Sequence, residues 1–138
     1  DNSQKLFIKH SLEAADTIIG KHQPNSSIDN FNPNTLDSLI DQWNDNYIKF
    51  DCSEEHFINT IGAAFGHFLI KEYKMKWTIV TDEYGSDYST TIEEIKLRNF
   101  PFSSVAKAID EKRKGSLQTI SLMSKRRIED LKKRTSNE

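Results

Sequence analysis

Ile8, Leu12, Ala15 and Ile19 recur at spacings of four, three and four, one face of a 3.6-residue period. The chain therefore opens with a helix over 3 to about 21, which Gly20 is placed to stop. Residues 21–34 are rich in Asn, Ser and Pro and read as a loop, tacked to the body by Ile28 and Phe31. Asn32-Pro33 offers an N-cap and a first-turn proline for a second helix. Its stripe runs Leu36, Leu39, Ile40, Trp43, Tyr47, and it ends near Phe50. Asp51 and Ser53 are both suitable caps for a third helix, in which Glu54 and Glu55 complement the dipole. Phe57, Ile58, Ile61, Ala64, Phe65, Phe68 and Leu69 give that helix an apolar face wide enough for the centre of a domain. Gly62 and Gly66 lie one turn apart within it. Each glycine costs about 1 kcal/mol in a helix, so a closely packed neighbouring backbone is expected there.

The period then shortens. Trp77 to Val80 is rich in β-branched residues and predicts a strand over 76–81, with a turn at 82–87 around Gly85. Residues 88–98 are expected to return as one or two short strands, and Pro101 ends the sheet region. Ser103 or Ser104 caps a short helix bearing Val105, Ala108 and Ile109, which stops at Gly115. Ser116 caps the last helix, with Leu117, Ile120, Ser124, Ile128 and Leu131 in helical spacing and a polar tail at 135–138. The sum is a single α+β domain, four to five helices packed on a small two- to three-stranded antiparallel sheet. Its expected core is Trp43, Phe57, Ile61, Phe65, Phe68, Leu69, Trp77, Ile79 and Val105.

With 138 residues the chain can bury a core without staples. One cysteine, Cys52, excludes an internal disulfide and four-cysteine zinc sites. A reducing, cytoplasmic location is the expectation, for a trimmed or processed chain that starts at Asp1. No run approaches the ~18–20 apolar residues of a membrane span. Charge changes the picture more. Ten Lys/Arg against five Asp/Glu from Val105 onward give +5, leaving −7 on residues 1–104 and −2 overall. This polarity is that of an acidic body beside a basic tail, although a solvated helix face would give the same count.

Candidate chemistry is sparse. Cys52 and His56 would share a helix face, and a helix N-terminus lowers a thiol pKa. No orienting third residue accompanies them. His56 and His67 lie about three turns apart, too far to share a metal, and the H-E-x-x-H pattern is missing. Asp82, Glu83 and Asp87 lack the spacing of a calcium loop. Glu83 with Glu93 or Glu94 would be the raw material of an acid–base pair, but turn chemistry explains the cluster without one. The basic segments Lys125-Arg126-Arg127 and Lys132-Lys133-Arg134 lack interleaved aromatics, which argues against nucleic acid. No phosphate-cradling loop, nucleophile elbow or dinucleotide fingerprint is present, so no cofactor is expected.

Three stretches taken together carry a family resemblance: Gly62-Ala63-Ala64-Phe65-Gly66; Trp77-Thr78-Ile79-Val80 with Asp82-Glu83-Tyr84-Gly85-Ser86-Asp87; and Phe100-Pro101 with Ser104-Val105-Ala106-Lys107. From Phe57 to about Lys125 the chain resembles a bacterial family catalogued as domain of unknown function 3806. The resemblance implies an α+β domain and assigns no catalytic residue.

The expectation for function is a non-enzymatic protein-binding domain. Asp82, Glu83, Tyr84, Asp87 and Tyr88 form its partner-binding face, and no residue is assigned to catalysis or metal. An acidic face would steer a basic protein partner. In the narrower version the protein is a bacterial immunity protein that blocks a toxin domain by binding it. The alternative is a small-ligand-binding or hydrolytic domain whose site assembles from Asp82, Glu83, Tyr84, His67 and Cys52.

Overall fold

The computed structural model describes residues 2–136. Among these residues five helices and a three-stranded antiparallel sheet make an α+β fold: α1 Asn2–His22, α2 Pro33–Asn46, α3 Glu54–Tyr73, β1 Lys76–Asp82, β2 Gly85–Ile92, β3 Leu97–Asn99, α4 Pro101–Asp110 and α5 Ser116–Ser136. Short 3-10 turns follow α2 at Tyr47–Phe50 and β2 at Glu93–Ile95. The sheet order is β1-β2-β3, with β1 against β2 in the register Trp77↔Thr90, Ile79↔Tyr88, Asp82↔Gly85.

Local chemistry sets these boundaries. Asn32 and Thr35 form a reciprocal capping box at the start of α2, where Pro33 needs no donor. Ser53, rather than Asp51, caps α3 by accepting from the His56 N–H at 3.0 Å; Asp51 instead takes a left-handed conformation after the 3-10 turn. α1 runs through Gly20 to His22, because an open glycine inside a helix weakens it without ending it. The loop therefore narrows to 23–32, and Asp16 holds it by accepting from the Ile28 N–H. Neither Ser103 nor Ser104 caps α4, which begins at Pro101 without a side-chain cap. Thr135 and Ser136 continue α5 as helix, and the rest of the polar tail, 137–138, lies outside the described residues.

α3 is the centre, in contact with every other helix and with β1 and β2. On one side Trp43 stacks on Phe57 at 4.4 Å and Phe50 meets the same ring edge-on at 5.0 Å. On the other side the two glycines answer to rings more than to backbone. Phe102 lies across Gly62, its Cα 3.0 Å from where a Cβ would be, and the Trp77 indole lies over Gly66. Those two rings stack at 5.9 Å, with Tyr88 and Phe7 completing an aromatic box that joins sheet, α4 and α1 to α3.

Several expected core positions lie further out. Ile79 is 38% exposed because β1 is an edge strand, and Trp77 and Phe68 are half-buried. Tyr47 leaves the α2 stripe where the helix tightens into its 3-10 turn. A buried acid holds the last helix. Asp37 on α2 accepts from the Leu117 and Gln118 N–H groups, both at 2.9 Å, and so satisfies two orphan donors of the α5 first turn. Asn99 donates to Ser124 at 3.0 Å and the Tyr73 hydroxyl to the Ser121 carbonyl at 3.1 Å, extending that attachment along α5.

Candidate functional site

β1 and β2 meet in a hairpin whose tip is only Glu83-Tyr84, so the turn is shorter than 82–87 and Asp87 belongs to β2. Asp82 Oδ1 accepts from the Tyr84 N–H at 2.8 Å, an Asx turn that sets the reversal. The Thr81 and Ser86 hydroxyls, 2.8 Å apart, tie the strands just behind it. This bracing leaves Tyr84 outside, 90% exposed.

Beyond Thr90, β3 no longer pairs with β2, and α4 takes its place beside the sheet. A groove of about 730 Å³ opens there, lined by Val80, Asp82, Tyr84, Asp87, Arg98, Ser103, Ser104 and Lys107. Ser103 Oγ donates to Asp87 Oδ2 at 2.7 Å across its base. Asp82 and Asp87 thus face Arg98 from β3 and Lys107 from α4, and the groove has mixed charge. The basic C-terminal helix goes elsewhere: Arg127 donates to the Ile95 carbonyl at 3.3 Å.

The structure divides the five residues expected to bind a partner. Glu83 and Tyr84 form the tip, Asp82 closes β1 just behind them, and Asp82 and Asp87 line the groove. Tyr88, one residue on, points to the opposite face of the sheet by strand alternation. Its half-buried ring stacks on Phe7 at 5.4 Å. Sequence reasoning missed Arg98, Ser103 and Lys107, which arrive from two later elements. Only the Phe100-Pro101 signal, which starts α4 beside the sheet, hints at that meeting.

The residues of the alternative site lie apart. His67 lines a different groove of about 450 Å³, with Lys5, Asp16 and Asp29; burial and the nearby Lys71 lower its pKa. Cys52, ahead of α3, lines neither groove, and burial together with Asp51 raises its thiol pKa, the reverse of nucleophile activation. Among the described residues no group of three or more His, Cys, Asp or Glu is placed to hold a metal ion. No helix there is long and apolar enough to cross a membrane.

A family model described as Domain of unknown function (DUF3806) matches residues 35–120. The match reaches back to α2, earlier than the Phe57 start suggested by the motifs. Neither a curated protein nor a solved structure matches the chain.

Proposed function

The chain belongs to the DUF3806 family, and because that family's description assigns no activity, we propose from the geometry that the domain is a protein-binding module using the β1–β2 hairpin tip and the groove beside α4. One observation carries this reading: Tyr84 is held 90% exposed by a braced turn at the mouth of a polar groove. Tyrosine is an amphipathic anchor at low entropic cost, and such rings concentrate binding energy in protein interfaces. Asp87, Arg98 and Lys107 supply charged groups of both signs around it. They favour a partner segment of alternating charge over a uniformly basic one. An immunity role, with a toxin domain as the partner, is the narrower form of this proposal and requires that the toxin present such a surface.

Affinity capture with the tagged domain tests the reading, with Tyr84→Ala and Lys107→Glu as comparisons. Both side chains are exposed, so both variants should keep the fold. A single stoichiometric protein retained by the native chain and lost by both variants is the expected result. Retention by all three, or no bound protein at all, would remove the hairpin groove as the binding site.

A further inference from the structure

Seven residues long, β1 has no strand on its outer side among the described residues. Alternate residues of an edge strand direct their N–H and C=O groups away from the paired neighbour. Natural edges are blunted by Pro, bulges, shortness or central charges. The middle of β1, Trp77-Thr78-Ile79-Val80-Thr81, has none of these and matches the composition of an adhesive strand. Ile79, at its midpoint, is the large apolar side chain the strand leaves exposed. Next to it lies a largely apolar groove of about 420 Å³, lined by Lys5, Ile8, Trp77, Ile79 and Tyr88 among others.

We propose that β1 pairs edge to edge with β1 of a second copy, antiparallel about Ile79, to form a symmetric dimer with one continuous six-stranded sheet. The ends of the strand select this occupant. With Ile79 opposite Ile79, Lys76 of each copy falls opposite Asp82 of the other, on the same face of the sheet, and both are exposed in the monomer. The strand is thus charge-complementary to itself only when reversed. A parallel pairing in register would set like charges side by side at both ends. The two-fold arrangement is closed, so the adhesive edge is consumed in each copy and does not propagate. The hairpin groove borrows Val80 and Asp82 from β1 and is otherwise lined from the turn, β2, β3 and α4, so the dimer carries two such grooves.

Light scattering coupled to size exclusion, over a range of protein concentrations, reads the outcome. The native chain is expected at twice its 16.0 kDa mass. Ile79→Arg, at an exposed position, keeps the fold by circular dichroism and runs as a monomer, because it opposes like charges at the axis. Lys76→Glu weakens the dimer by roughly tenfold, and adding Asp82→Asn, which keeps the acceptor of the turn and removes the like charge, restores part of that loss. A native chain that stays monomeric, or that grows into open aggregates, overturns the proposal. So does an Ile79→Arg dimer, or a Lys76→Glu/Asp82→Asn variant without any rescue.

Discussion

Asp37 carries a buried charge whose two oxygens each accept a backbone N–H from a helix that begins 79 residues later. Removing it strands two donors, so Asp37→Ala should destabilise the chain by about 2–3 kcal/mol in urea unfolding. Burial raises the carboxyl pKa above its ordinary value, against the two N–H donors and with a smaller push from Asp41. The folded state then holds the proton to higher pH than the unfolded one. The contribution of Asp37 is therefore greatest below the ordinary carboxylate value of 3.8 and declines as pH rises through the folded value. Unfolding of the native chain and Asp37→Asn side by side should show their stability difference moving against the native chain across that window. Thr90 is the opposite case, a fully buried hydroxyl without a hydrogen-bond partner among the described residues. Thr90→Val should raise stability by about 1 kcal/mol, read from the same urea midpoint. Sequence pattern hides both residues. Asp37 sits among Leu36, Leu39 and Ile40 as a polar interruption, and only the approach of α5 gives it a role.

At the scale of elements, the glycines of α3 separate packing from propensity. Gly66→Ala would drive a methyl into the Trp77 indole, whereas Gly20 has open space around it within α1. The first change should cost about 2 kcal/mol or more, by overpacking. Gly20→Ala should gain roughly 0.5–1 kcal/mol, and thermal melts of the two variants should move in opposite directions. The helices were legible because each carries a 3.6-residue stripe, but several ends were not: α1 runs past Gly20, and α4 begins at Pro101 without a serine cap and ends at Asp110, ahead of Gly115. α3 was legible as the centre from its wide apolar face. What the glycines receive was not, because Phe102 and Trp77 come from other elements. Ile79 was misplaced because a β-branched run looks the same in an edge strand and a central one.

For the whole molecule, the candidate site is a meeting of β1–β2, β3 and α4, and sequence reveals one side of it. Asp82, Glu83 and Tyr84 stand out as a turn. Arg98 and Lys107 look like surface charges until the fold sets them opposite Asp87. The charge split between body and tail suggested an acidic face, but the cations of the groove come from β3 and α4 and α5 keeps its own surface. Two grooves on one dimer would let a repetitive partner bind at both, so the Ile79→Arg monomer should lose apparent affinity for a bivalent partner and keep it for a single-site fragment. Surface plasmon resonance with the captured partner in the two formats distinguishes them.

The hold of Asp37 on the start of α5 also has a consequence in time. The family match, 35–120, begins and ends beside the two halves of that contact. During synthesis the N-terminal part of a domain emerges first. α2 and α3 can then associate on the ribosome while the Asp37 carboxylate still faces water, and the domain closes only after Gln118 has left the exit tunnel. Nascent chains arrested before that point should be open to protease at α2, and chains arrested well beyond it should resist.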